Sequence, residues 1–251
     1  MLKLTVMTFN LRMDTPDDGE NAWTYRKGHV VETILAHQPD IIGTQEGLHH
    51  MIEYISEALP GYGMIGEGRE GGKTGEYNAI FYRKERLKSL DNGQFWLSKT
   101  PEIPGSVDWN SGCPRICTWG EFVSQWDPAT KVKVFNTHLD HASQEAREKG
   151  SKLLTSKIKP EFEQGVPVIL TGDFNAAPNN KAIQQIGAAG LEKIQTDGNT
   201  FHGFDGGEEG NTIDYIFTTG SSGTGKVVRR QVGGKYPSDH YPVVGTVDLG
   251  N

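Results

Sequence analysis

Short apolar, β-rich runs recur along the chain, and most of them end in Asn, Glu, Asp or His. Leu4-Thr5-Val6-Met7-Thr8-Phe9 runs into Asn10, and Asp40-Ile41-Ile42-Gly43-Thr44-Gln45 runs into Glu46. Phe135-Asn136-Thr137 meets His138, and Val166-Pro167-Val168-Ile169-Leu170 leads through Thr171-Gly172 to Asp173 and Asn175. Asp214 lies inside Thr212-Ile213-Asp214-Tyr215-Ile216-Phe217, and His240 stands just before the run 241–247. A polar group beside a buried strand is costly unless it is paired or bound to something. A chain that repeats this arrangement is confined to folds that gather strand ends at one edge, where α/β proteins build their sites.

Helical patterns alternate with these runs. Val30, Val31, Ile34 and Leu35 carry helical spacing within 24–37, and Pro39 stops that helix. Helices are expected over 49–59, ended by Pro60-Gly61, over 143–159 with Ala146, Leu153, Leu154 and Ile158 inward, and over 180–189. Further strands are expected near 77–83, 87–97, 115–125 and 131–138. Gly66–Gly75 and Gly220–Gly225 read as loops. The two halves repeat one outline, so the chain is expected to be α/β, with two sheets packed face to face and helices outside, in one domain over 1–251.

Composition narrows the partners. The net charge is −7 and the pI about 5.6, with scattered basic residues. Duplex-binding domains more often carry a basic stripe or a pI above ~9, so nucleic acid is the disfavoured partner. No apolar run approaches the ~18 residues of a membrane span. Met1-Leu2-Lys3 leads straight into a strand without signal-peptide order. Cys113 and Cys117, if extended, lie ~13 Å apart, beyond the ~7 Å Cα limit of a disulfide. Reduced thiols suit the cytoplasm, although a leader removed before this sequence begins would fit secretion.

The strand-end residues suit phosphate chemistry. Mg²⁺ is commonly held by one or two carboxylates plus substrate oxygens, which suits Glu46; Asn10 adds a neutral oxygen. In extended geometry Asp173 and Asn175 share a face, and Gly172 permits close approach. The alternative is an Asx-turn with Asn175 capping the next helix. Asp214 needs a partner if buried, and His240 supplies one, giving an oriented acid–base histidine. His138 alone would read as a sheet-edge histidine.

Met7-Thr8-Phe9-Asn10, Pro39-Asp40-Ile41-Ile42-Gly43-Thr44-Gln45-Glu46, Asn136-Thr137-His138-Leu139, Gly172-Asp173-Phe174-Asn175, Ile213-Asp214-Tyr215-Ile216 and Ser238-Asp239-His240-Tyr241-Pro242 follow one another in this order. Together they resemble the endonuclease/exonuclease/phosphatase superfamily, the fold of deoxyribonuclease I and exonuclease III. The resemblance implies a four-layer α/β/β/α sandwich and Mg²⁺- or Mn²⁺-dependent phosphoester hydrolysis. It implies that Glu46 and Asn10 hold the metal with Asp239 close by, and that Asp173 and Asn175 position water and phosphate. It gives His240, oriented by Asp214, either the attacking water or the phosphate charge. His138 is similar to the histidine of the deoxyribonuclease I, sphingomyelinase, deadenylase and inositol-phosphatase-like branches, and Glu76 matches the acid that supports it there. His138 and Asn175 would then contact the phosphate.

Arg115 reads equally as a core-edge ion pair or a bidentate phosphate ligand. Asp14 and Arg26 read as lining the pocket mouth or, preferably, as pins of the first loop, and Trp96, Trp109 and Trp119 as substrate platforms or, preferably, core. The expected activity is therefore hydrolysis of a small or lipid-like phosphodiester or phosphomonoester. The rivals are a nuclease or repair phosphodiesterase, and a non-catalytic binding module on the same fold.

Overall fold

The β-rich runs pair into two six-stranded sheets in the computed structural model, which describes residues 2–196 and 198–249. Met1, Asp197, Gly250 and Asn251, included in the one-domain expectation, lie outside the described residues. The strands of the first sheet are β1 (Leu2–Asn10), β2 (Ile41–Gln45), β3 (Tyr62–Ile65), β4 (Ile80–Arg83), β11 (Ser221–Val227) and β12 (Val243–Leu249). Their order is β11-β12-β1-β2-β4-β3. The second sheet contains β5 (Leu87–Trp96), β6 (Ile116–Ser124), β7 (Lys131–His138), β8 (Val168–Asp173), β9 (Glu192–Lys193) and β10 (Asp214–Thr218), ordered β5-β6-β7-β8-β10-β9.

Both sheets are mixed, and each has one parallel pair made through a helix. Helix α1 (Trp23–His37) connects β1 to its parallel neighbour β2, and α3 (Gln144–Glu163) connects β7 to β8. Helices α2 (His49–Ala58) and α4 (Lys181–Ala188) complete the outer layers. Leu4, Val6, Ile41 and Ile80 of the first sheet meet Phe122, Val134, Ile169 and Ile216 of the second in the central apolar layer. The first sheet's other face packs on α1 and α2 through Met7, Phe9, Ile34 and Ile55. The second packs on α3 and α4 through Phe135, Leu154, Leu170 and Ile183. This is the four-layer sandwich the motifs imply.

Register places the site. Asn10 stands opposite Gln45 across β1 and β2, so Glu46 follows at the same edge. His138 stands opposite Asp173, which stands opposite Asp214 on its other side. Just beneath this edge the sheets are joined by polar contacts. Gln45 Nε2 donates to Asn136 Oδ1 at 2.7 Å, and Asn136 Nδ2 donates to the Thr44 carbonyl at 2.8 Å. Gly43 makes the approach possible, because a Cβ there would lie 2.0 Å from Thr171 Oγ1.

Some local expectations fail. Gly220–Gly225 is largely strand, because β11 pairs along β12 around a bulge between Ser222 and Gly225. Strand β4 starts only at Ile80, while Tyr77 makes isolated bridges to Gly47 and Gly68. Helix α3 runs past the expected end at 159 to Glu163 with Pro160 inside its last turn. Strands β3 and β9 carry no clear apolar alternation and escape the sequence reading. Trp96 is buried, but Trp109 and Trp119 are only half-buried, and Lys133 Nζ lies 4.4 Å over the Trp119 ring.

Candidate active site

The strand ends meet in a cleft of about 510 Å³. Glu46, His138, Asp173, Asn175, Asp239 and His240 line it, and Asp214 lies behind His240. Part of the chain's backbone strain lies here. Among the described residues, Arg12 (φ 52°), Glu46 (φ 62°) and Asn175 (φ 46°) adopt left-handed conformations although none is glycine. Such conformations persist only when the surrounding contacts enforce them, and they concentrate at functional sites.

Asn10 and Asp173 bind the two sheets together. Asn10 Nδ2 donates to Glu46 Oε1 at 2.9 Å and to Asp173 Oδ2 at 3.0 Å, while its Oδ1 accepts from the Arg12 N–H at 2.9 Å. In this arrangement Asn10 orients two carboxylates, and its oxygen is already engaged. Glu46 Oε2 accepts from the Met13 N–H at 3.0 Å. Burial alone would raise the Glu46 carboxyl; His240, Asn10, Met13 N–H and Arg12 outweigh it and hold the group below its ordinary value.

Asp173 and Asn175 do share the cleft, but a turn places them rather than the strand pleat. Asp173 Oδ1 accepts from the Asn175 N–H at 2.9 Å, and the left-handed Asn175 turns its amide toward β7. Asn175 Nδ2 lies 3.0 Å from His138 Nε2 and donates to the Leu139 carbonyl at 3.0 Å. The following helix is capped by Asn180, so the alternative of Asn175 as a cap fails. Gly172 is required: a Cβ there would lie 2.4 Å from the Thr137 carbonyl.

His240 sits between two carboxylates. Its Nδ1 is 2.9 Å from Asp214 Oδ2 and its Nε2 is 3.8 Å from Asp173 Oδ2. Burial works against the imidazolium, but the charge and hydrogen bond of Asp214 prevail, with help from Asp173, and push His240 up to about 10. Asp173 is pushed up to about 7, first by burial and then by Asp214. His138 goes the other way: burial, followed by the Arg115 and His240 charges, keeps it well below the ordinary imidazole value.

The expected Glu76–His138 pair does not form. Glu76 Oε2 is 2.8 Å from Arg69 Nη1, and among the described residues no partner reaches the buried Nδ1 of His138. A permanent cation holds the carboxylate where a neutral imidazole would offer only a hydrogen bond. Burial still raises the Glu76 carboxyl, with Arg69 opposing it. Arg115 is buried and makes the expected ion pair: its Nε lies 3.8 Å from Asp140 Oδ2 and its Nη2 2.9 Å from His141 Nδ1, while the side chain also lines the cleft. Asp140 also accepts from the Gly112 and Ser143 N–H groups, which fixes the pair.

Arg12, Arg69, His141 and Phe201 also line the cleft and escaped the sequence reading. None stands at a strand end, and single loop residues carry no periodic signal. Arg26 behaves as the expected pin: buried, it donates to the carbonyls of Leu11, Arg12, Asn21 and Pro237. That ties the loop bearing Arg12 to the loop bearing Asp239. Asp14 accepts from exposed His50 at the surface.

The donor set fits a hard divalent cation. One ligand atom each from Glu46, His138 and Asp173 lies within 4.8 Å of the others. Asp239 is raised by burial and by the Glu46 charge, with His240 and Arg12 opposing. Carboxylates converging beside one imidazole suit an oxygen-seeking ion.

A model of the Endonuclease/Exonuclease/phosphatase family matches residues 7–240, and the chain belongs to that family. An endonuclease/exonuclease/phosphatase family protein from Bacteroides thetaiotaomicron is 33% identical, with a TM-score of 0.91 over 98% of this chain and 95% of that one. A mannosyl-6-phosphatase from the same organism is 34% identical, with a TM-score of 0.90 over 98% of this chain and 100% of its own. The catalytic domain of human Nocturnin, solved with bound sulfate, is 20% identical over 98% of this chain and 93% of that one; at a TM-score of 0.76 it shares the fold. No curated protein matches the chain. No helix among the described residues is long and apolar enough to cross a membrane.

Proposed function

We propose that the chain is a single catalytic domain that hydrolyses a small-molecule phosphate ester, with a phosphomonoester favoured over a diester, using Mg²⁺ or Mn²⁺. The observation that carries this reading is the convergence of Glu46, His138, Asp173, Asn175 and His240 in one cleft walled by Arg12, Arg69 and Arg115. The similarity to a protein described as a mannosyl-6-phosphatase supports a small monoester. The net charge of −7 disfavours a polyanion such as DNA. The free thiols of Cys113 and Cys117 suit the cytoplasmic setting this reading assigns.

Glu46 and Asp239 would hold the ion, with Asp173 and His138 in reach and Asn10 orienting Glu46. A bound divalent ion supplies Lewis-acid polarisation of a phosphoryl oxygen and favours the departing oxyanion. Asp173, its carboxyl raised by burial and by Asp214, accepts the proton of the attacking water as the new P–O bond forms; the bond to the leaving oxygen breaks with its electron pair passing to that oxygen, which takes a proton from solvent. Charged His240 donates from Nε2 to a phosphoryl oxygen as negative charge gathers there, and Asp214 keeps it charged and oriented. Arg115 donates to a remaining oxygen, and Asn175, its Nδ2 held by the Leu139 carbonyl, fixes the place of neutral His138 beside the phosphate.

The test is phosphate release from p-nitrophenyl phosphate and from small alkyl phosphates, before and after chelation. Release that stops in chelator and returns with Mg²⁺ or Mn²⁺ is expected. Undiminished release in chelator, or none from any monoester, would overturn the reading.

A further inference from the structure

Phe201 is an apolar side chain left 47% exposed at the wall of the catalytic cleft. Its ring centroid is 5.0 Å from that of His240, tilted by 59°. Exposure of this kind forgoes part of the stabilisation that burying a phenyl side chain contributes. The backbone beneath it is nonetheless fixed. Phe201 bridges His240 in antiparallel fashion, and the Tyr241 N–H donates to the Thr200 carbonyl at 2.7 Å. Buried Asn199 accepts from the Phe201 N–H at 3.2 Å and donates to the Phe201 carbonyl. A buried amide thus holds both polar groups of a residue whose ring faces open space.

Arg69 belongs to the same cleft and is equally fixed. Its N–H donates to the Glu76 carbonyl at 2.9 Å, and buried Trp96 donates from Nε1 to its carbonyl at 2.6 Å. Its guanidinium meets Glu76 at 2.8 Å, and its buried Nε has no hydrogen-bond partner among the described residues. The pair sets fixed donors beside a carboxylate acceptor.

We propose that Phe201 and Arg69 form the leaving-group subsite of this cleft, and that the group they take is a sugar ring. The inference rests on the phosphoesterase reading above and specifies its substrate. A sugar ring has an apolar C–H face and a rim of hydroxyls. The phenyl ring offers a platform for the face, and the Arg69–Glu76 pair offers both donors and acceptors to the rim. A nucleobase would stack equally well on Phe201, and its edge can also meet both charges, but it offers them in one plane, whereas hydroxyls stand around the whole rim of a sugar lying on the platform. The volume, about 510 Å³, falls in the ~300–1,000 Å³ range of small-molecule sites.

The experiment compares kcat/KM for a hexose 6-phosphate, ethyl phosphate and a nucleoside 5′-monophosphate, in the wild type, Phe201→Ala, Phe201→Tyr and Arg69→Gln. The wild type should favour the hexose 6-phosphate over both others. Phe201→Ala should weaken the hexose ester about five- to tenfold more than ethyl phosphate, chiefly through KM, as one aromatic contact would. Phe201→Tyr should restore most of the preference, and Arg69→Gln should reduce it by about tenfold or more. Equal losses on hexose and ethyl esters would make both residues supports of the catalytic groups and overturn the proposal. A nucleotide preference that Phe201→Ala abolishes would overturn the sugar assignment. Metal-dependent turnover of ethyl phosphate with no gain for the hexose ester would sink this inference and leave the phosphoesterase reading standing. No turnover of any ester would sink both.

Discussion

His240 Nδ1 lies 2.9 Å from Asp214 Oδ2, and both side chains are buried. Burial opposes the imidazolium, yet Asp214 raises it to about 10. A histidine whose folded value exceeds its ordinary ~6.5 adds stability that is complete below that ordinary value and is lost as pH climbs through about 10. Asp214→Asn should therefore destabilise the protein at pH 7, with the deficit shrinking toward pH 10. Urea unfolding at pH 6, 8 and 10 measures this, and a deficit that grows with pH would contradict the charged pair. In activity, the alkaline limb should fall near pH 10 rather than near 7.

The two residues should also act as one unit in catalysis. His240→Ala and Asp214→Asn are each expected to lower kcat by ~10²–10⁴. The double variant should cost little more than His240→Ala alone. Losses that multiply in full would give Asp214 a separate task.

Glu46 accepts from Asn10 and from the Met13 N–H, so its removal is structural as well as chemical. Glu46→Ala leaves both donors without their acceptor, at an expected cost of ~1–3 kcal/mol. Glu46→Gln keeps one of the two acceptors and sets its amide nitrogen against the other donor, so its stability loss should lie below that of Glu46→Ala but above zero. Both should weaken Mn²⁺ binding by at least about tenfold, read by titration calorimetry, because a carboxylate is lost from a hard-ion site. Wild-type Mn²⁺ affinity in Glu46→Gln would remove Glu46 from the metal centre.

Close contact of the sheets under the site depends on Gly43. A Cβ at that position would lie 2.0 Å from Thr171 Oγ1 and 2.6 Å from Asn136 Oδ1. Gly43→Ala should cost ~1–3 kcal/mol through overpacking. It should also lower activity, since Asn136 and Thr171 lie in the strands that end at His138 and Asp173. A denaturation midpoint equal to that of the wild type would contradict this packing.

Strand-end chemistry was legible because β-forming runs and polar terminators sit next to each other in sequence. Asn10, Glu46, His138, Asp173, Asn175, Asp214 and His240 could thus be singled out from the sequence, whereas Asp239 enters only through the family resemblance. Their partners were less legible. Glu76 follows a glycine-rich loop whose Arg69 reaches it only because that loop folds back on Tyr77. Asn10 has an amide with two faces, and only the folded arrangement turns its nitrogen toward Glu46 and Asp173. Phe201 lies in a loop with no periodicity and is identified by exposure alone. Strand β11 hid because glycine and serine carry no apolar pattern, and its partner β12 defines it.

Substrate competition tests the central claim, that this cleft hydrolyses small phosphate esters, most directly. The measurement is kcat/KM for a hexose 6-phosphate and for plasmid DNA nicking, with Mg²⁺, at 50 and 200 mM salt. A polyanion bound through 6–10 phosphate contacts loses ~10³–10⁵ in affinity across that range, whereas a small ester should change far less. The account predicts efficient release from the sugar phosphate at both salt concentrations and negligible nicking. Efficient nicking at 200 mM salt, with no turnover of the sugar phosphate, would contradict it.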